Sequence, residues 1–273
     1  VRVPIPDVFR DRVATWDGTP APTRAAATIA LVRPGVGGPE TYLLRRQQTM
    51  AFAPGMYVFP GGGLQESDRE VVGWVGPSSS QWGERLGCDP DTARALVVAA
   101  VRETFEESGI LFAGADEHSV VADTSSPELQ KARLDLDAGE LSFGDFLGAR
   151  DLVLRSDLLG AWSHWITPAF EPRRYDTRFF VAAVPRGQSV GTLPGEADRA
   201  TWASIASVLE AVKAGEAAML PPTWITCREL AQADPATLVD DARAREVRPI
   251  EPRLVKVDGE WFLDNPIEEE THG

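Results

Sequence analysis

Residues 91–110, DTARALVVAAVRETFEESGI, constrain this chain more than any other stretch. At about 100° per residue, Val97, Val98, Val101 and Phe105 share one side of a helix, the stripe expected of a segment packed on a core. Glu103, Glu106 and Glu107 fall together on another side, at i, i+3 and i+4. Like charges at that spacing repel and weaken a bare helix. Arg102 stands four residues before Glu106 and can hold its carboxylate. Upstream on the glutamate side, Ala99 and Ala100 are small enough to let another backbone approach. Asp89 or Asp91 can cap the start, and Gly109 ends the helix. The cluster reads either as a solvated acidic face or as a site for a hard divalent cation. Carboxylate oxygens suit Mg²⁺ or Mn²⁺, and such an ion would relieve the repulsion.

Around this helix the pattern alternates. RAAATIALV (24–32) and ETYLLRR (40–46) read as two strands about the turn PGVGGP, and YVFP (57–60) as a short strand running into GGG. Residues 69–90 form a polar insertion carrying Trp74 and Trp82, which either covers a cleft or packs structurally. Residues 115–150 read as a mostly helical excursion. Strands return at 159–166, at 177–184 and near Trp202. Residues 203–214 and 222–246 read as helices, a C-terminal helical extension from about 203, and LVKVDGEWFL (254–263) as a hairpin turning at Asp258-Gly259. Interleaved strands and helices give an α/β (α+β) class, expected as one domain over 1–273.

Composition excludes several functions. The net charge of −14 argues against broad nucleic-acid binding, which depends on Lys and Arg neutralising phosphates. No apolar run reaches the roughly 20 residues of a membrane span, and no signal core opens the chain, so a cytoplasmic protein is expected. Cys88 and Cys227 read as reduced thiols. Three scattered histidines make no zinc set; His164, within AWSHWITP, reads as a hydrogen-bonded structural residue.

FPGGGLQESD (59–68) joined to RETFEESGI (102–110) resembles the signature of the Nudix hydrolases. Gly62 fits its first glycine, and Arg102, Glu103, Glu106, Glu107, Gly109 and Ile110 fit its second half. Thr104 takes a position that is usually apolar, and Asp68 stands where the first glutamate is usual. From Asp68 to Arg102 there are 33 intervening residues (69–101) in place of the pattern's seven. An interrupted box of this kind is similar to that of the peroxisomal acyl-coenzyme A diphosphatase branch. FAPGMYVFPGGGLQESD, AWSHWITPAFEPRRYDTRFF and LPPTWITCREL resemble further segments of that branch in the same order. A coenzyme A motif ending Gly-x-x-x-Phe-Pro-Gly-Gly is met by Gly55 through Gly62; Leu43 and Arg46 align with its upstream half, but Ala51 sits where arginine is usual.

The resemblance implies a Nudix α/β/α sandwich with a mixed sheet and extra helical segments. It also implies Mg²⁺- or Mn²⁺-dependent cleavage of a small-molecule diphosphate: coenzyme A or acyl-coenzyme A, or alternatively ADP-ribose, a nucleotide sugar or a dinucleoside polyphosphate. A ligand sensor without catalysis is the third reading. Glu103, Glu106, Glu107 and the Gly61 or Gly62 carbonyl would hold the metal, with Arg102 orienting the glutamates. Glu196, six residues before Trp202, would be a further ligand or a general base, in competition with Glu103. Arg45, Arg46, Arg173, Arg174 and Arg178 are the candidates for substrate phosphates. The family includes dimers, so a homodimer is compatible. The relatives' peroxisomal address has no counterpart in the closing residues EEETHG.

Overall fold

The computed structural model describes the chain apart from residues 1, 6, 48, 50–53, 192–196 and 265–273. Its main sheet runs Ala197–Ser204, Gly38–Arg46, Thr23–Gly35, Arg174–Ala183, Gly160–Ile166, Pro249–Ile250. Thr23–Gly35 lies parallel to Arg174–Ala183, and Gly160–Ile166 parallel to Pro249–Ile250. The other pairings are antiparallel, so the sheet is mixed.

Both faces of this sheet are covered, which explains why RAAATIALV is continuously apolar rather than alternating. Ala27, Ile29 and Leu31 point into one core with Phe180 and the site helix, while Ala30 and Val32 point into the other with Phe179, Ile205, Cys227 and Leu230. The period-2 geometry of a strand sends neighbours to opposite layers. The result is the expected α/β/α sandwich.

The site helix is Pro90–Ser108. Asp89 caps it, accepting from the Thr92 N–H at 2.9 Å, with Pro90 in the first turn and Gly109 at φ 80° closing it. Its middle departs from the two-sided expectation. Residues 95–101 are buried on every side, because the sheet covers one side and the inserted segments cover another. Phe105 stacks on Phe146 of the short helix Phe143–Gly148 with ring centroids 5.2 Å apart, and Leu86 joins the same core.

The 69–90 insertion is structured. Trp74–Val75 pairs in parallel with Val153–Arg155, which pairs with Ala113–Gly114 in a separate three-stranded sheet. Ser78 and Gln81 form a capping box at the start of the helix Ser79–Leu86. Trp82 is 1% exposed, donates to Ser156 Oγ at 3.3 Å and meets Phe180 edge-on. Trp74 donates to the Pro77 carbonyl. Of the two readings of the insertion, both tryptophans take the packing role. The 115–150 excursion contains the helices Pro127–Asp137 and Phe143–Gly148.

One expected helix is divided. Instead of running through 222–246, the chain forms Pro221–Leu230 and Leu238–Ala244. Asp234 accepts from the Ala236 N–H at 2.9 Å and Pro235 cannot donate within a helix, so a turn interrupts it. The C-terminal hairpin turns as expected, with Asp258 at φ 49° and Gly259 at φ 89°. No described helix is long and apolar enough to cross a membrane. Trp82→Ala should destabilise the fold by about 3–5 kcal/mol, as for large aromatic truncations in a core; urea denaturation measures it.

Candidate metal and diphosphate site

The site begins at a wedge in the sheet. Gly61–Gly63 pairs with the start of Thr23–Gly35, Gly62 opposite Ala27, while Tyr57–Val58 pairs with the end of Gly38–Arg46. The glycine turn therefore sits between two strands that have diverged. A Cβ on Gly61 would lie 2.5 Å from the Ala27 carbonyl, and one on Gly62 would lie 2.3 Å from Glu103 Oε1. At Gly61 the neighbour is fixed backbone, so close approach requires glycine; at Gly62 a side chain would displace the Glu103 carboxylate.

Arg102 is the hub. Its Nε and one Nη donate to both oxygens of Asp68, at 2.8 and 3.0 Å. Its other Nη donates to Glu103 at 2.9 Å and Glu106 at 3.0 Å, and a further bond reaches the Gly63 carbonyl. Arg102 and Asp68 are buried, at 1% and 0% exposure. Asp68 is itself fixed by the Gln65 N–H at 2.8 Å. Glu107 accepts from the Gly61 N–H at 2.7 Å, tying the helix to the glycine turn.

Burial opposes the Arg102 charge, but the hydrogen bond to Asp68 and the charges of Glu103, Asp68 and Glu106 outweigh it and raise its pKa. For Glu106 the balance reverses. Burial pushes its carboxyl up to about 7, against the Arg102 charge, with Glu103 adding to the rise. Both pKa values rise: for Arg102 the surrounding carboxylates outweigh burial, and for Glu106 burial outweighs Arg102. Glu106 Oε1 is buried without a partner. Nearby, burial raises the Tyr42 phenol to about 12, Arg133 pulling it down and Glu107 pushing it up.

Among the described residues no three acidic, His or Cys side chains already surround a common point. Glu103 and Glu106 turn onto Arg102, and Glu107 onto Gly61. The donor set nevertheless fits a hard cation: Glu103 and Glu107 oxygens lie against a turn with no side chains, and one Glu106 oxygen is buried without a partner among the described residues.

The other candidates divide. Arg45 and Arg46 lie half-buried at the end of their strand, against residues 55–57 that lead toward the glycine turn; Arg45 pairs with Tyr57, and Arg46 exchanges backbone bonds with Gly55 and Met56. Arg174 does not join them. Its donors go to the Thr167 and Ala21 carbonyls and to Glu251 at 2.6 Å, away from the glutamate cluster's own contacts. Arg178 is likewise engaged by Asp176 and the Leu86 carbonyl, and Arg173 is exposed. His164 is buried against Asp176 at 2.5 Å, the structural role its apolar surroundings suggested. Both cysteines are free thiols. Glu196 and Ala51 lie outside the described residues.

Two residues were missing from the expected site. Asp68 was legible as a position of the Nudix pattern but not as the main partner of Arg102. Arg133, whose Nε donates to the Glu106 carbonyl at 2.9 Å, carried no sequence signal at all.

A mixed sheet between helices, with a glycine turn set against an Arg-Glu-x-x-Glu-Glu helix, is the arrangement of a Nudix hydrolase. The profile of the NUDT19 Nudix domain matches residues 84–230, and the chain belongs to that family. It is similar to the acyl-coenzyme A diphosphatase NUDT19 of Xenopus laevis, 26% identical with 72% of this chain and 60% of that one covered. It is also similar to the protein of that name from Homo sapiens, 27% identical with 78% and 69% covered. The match thus spans about two thirds of the length of such relatives or less. A NUDIX hydrolase structure from Alicyclobacillus acidocaldarius superposes with a TM-score of 0.65 at 28% identity, covering 83% of this chain and 98% of that one.

The raised Glu106 pKa sets a pH dependence. Without metal, the folded protein keeps a proton that the unfolded chain releases near its ordinary pKa, so stability falls as pH rises from about 4.5 to about 7. Denaturation in EDTA at pH 4.5 and 8 should show this loss, and Glu106→Gln should flatten it.

Proposed function

We propose that this chain is a divalent-metal-dependent diphosphatase acting on coenzyme A or acyl-coenzyme A. The observation that carries the reaction class is the Arg102-held carboxylate cluster facing Gly61–Gly63, with Glu106 Oε1 buried and unpartnered. Glu103, Glu106, Glu107 and the Gly62 carbonyl would hold Mg²⁺ or Mn²⁺. Such an ion polarises a phosphoryl group and makes bound water acidic.

The protein's own residues do the rest. Arg102 keeps Glu103 and Glu106 on one side of the helix and offsets part of their repulsion. The Gly61 N–H holds Glu107 against the turn. Glu103, whose side chain is 14% exposed, can accept the proton of the attacking water; Glu196 is its rival for that role. Arg45 and Arg46, on the strand that pairs with residues 55–57, would supply charge for the substrate phosphates. Cleavage of coenzyme A would release 3′-phosphoadenosine 5′-phosphate and a phosphopantetheine product.

The coenzyme A assignment is supported by the names of the relatives and by the 42–62 segment. Ala51, where arginine is usual, favours the second reading, in which the substrate is ADP-ribose, a nucleotide sugar or a dinucleoside polyphosphate. A substrate panel with Mg²⁺ and Mn²⁺, products identified by mass, separates the two. Wild-type turnover of ADP-ribose but not of coenzyme A would decide for the second.

Glu107→Gln should lose most activity while the thermal melt stays near the wild type, because a neutral amide binds the ion poorly yet leaves the apolar face intact. Normal turnover by that variant would remove Glu107 from the metal site. Arg46→Ala should reduce coenzyme A kcat/KM roughly 10- to 150-fold, the worth of a charge-assisted phosphate contact, and ADP-ribose kcat/KM less. Equal losses would place Arg46 on the shared diphosphate.

A further inference from the structure

We infer that Arg133 is a positioning residue that fixes the last turn of the site helix and with it Glu106 and Glu107. As a statement about the reaction, this rests on the diphosphatase reading; as a statement about the helix end, it stands on the geometry alone.

The final carbonyls of a helix lack intrahelical partners. Here the Gly109 N–H satisfies Phe105, but the Ile110 N–H, the helical partner of the Glu106 carbonyl, donates instead to Ser108 Oγ at 3.1 Å. Glu106 is 5% exposed, so water does not readily take its place. Arg133 does. Its Nε donates to the Glu106 carbonyl at 2.9 Å, and one Nη is held by Gln130 Oε1 at 3.1 Å. The guanidinium is brought there by the helix Pro127–Asp137 and is 2% exposed.

The fit around it is close. A Cβ on Gly191 would lie 2.1 Å from the Arg133 Nη, and one on Gly109 3.4 Å from it. Gly191 in turn donates to the Ser108 carbonyl at 2.7 Å. Arg133 therefore sits where the helix end, the excursion helix and Gly191 meet. A cation at a helix C-terminus also complements the helix dipole. Lysine could supply that charge, but its ammonium could not reproduce the guanidinium's directed Nε and Nη contacts. The 115–150 excursion thus has a task at the site beyond filling the core.

The test compares Arg133→Met and Arg133→Lys with wild type by hydrogen exchange and by Mn²⁺ titration calorimetry. In EDTA, amides 106–110 of Arg133→Met should exchange roughly 10-fold faster or more, from loss of a hydrogen bond to a charged donor. The strand Gly160–Ile166 should keep its wild-type rate. Mn²⁺ affinity should fall in parallel, and Arg133→Lys should lie between the two. If Arg133→Met does not fold, faster exchange confined to 106–110 in Arg133→Lys supports the inference. Unchanged exchange at 106–110, or equal acceleration in Gly160–Ile166, overturns it. Wild type that neither binds Mn²⁺ nor cleaves a diphosphate overturns the proposed function instead, and helix-end exchange still decides the role of Arg133.

Discussion

The buried pair of Arg102 and Asp68 is the interaction on which the rest of the site depends. Both side chains have left water, a transfer that costs several kcal/mol per ion unless every donor is met. Here the guanidinium meets two Asp68 oxygens, Glu103, Glu106 and the Gly63 carbonyl. Without that charge, Glu103, Glu106 and Glu107 would face one another on one turn of helix. With it, the repulsion is partly offset and Glu106 keeps one buried oxygen unpartnered. In the proposed function, that oxygen is one that a bound cation would take up.

The same pair explains how a long insertion can interrupt a compact motif. Asp68 and Arg102 are 34 positions apart, yet the motif's two halves are held together as though adjacent. Closing a longer loop adds little entropy cost, about 0.6 kcal/mol per doubling of its length. The inserted residues also contribute burial of their own, through Trp82 on Phe180 and the small sheet made with Val153–Arg155. The insertion and the 115–150 excursion together enclose the side of the site helix that the main sheet does not reach.

That enclosure gives the helix its chemistry. A solvated glutamate face would titrate in the ordinary carboxylate range. Burial instead brings Glu106 to about 7, so a cation binding there would have to displace a proton into solvent. On the proposed function, metal affinity and proton affinity would be coupled, and metal-free stability would be lower at the pH where the carboxylate is ionised.

The sequence by itself determined the site helix, its cap and stop, the glycine turn and the glutamates, because those features obey short-range rules: helical spacing, capping chemistry, and glycine where backbones must touch. The interleaved pattern gave the α/β class, and the sandwich followed from the resemblance of the glycine turn and glutamate helix to the Nudix signature. The tertiary structure decided what each charge meets. The guanidiniums of Arg174 and Arg178 look like any other in the sequence, and in the fold they meet Glu251, Asp176 and backbone carbonyls. Arg133 looks like any surface arginine of a charged helix until the fold buries it at the Glu106 carbonyl. An arginine's role depends on which acceptors lie within about 3 Å, and partners distant in sequence are set only when the chain packs.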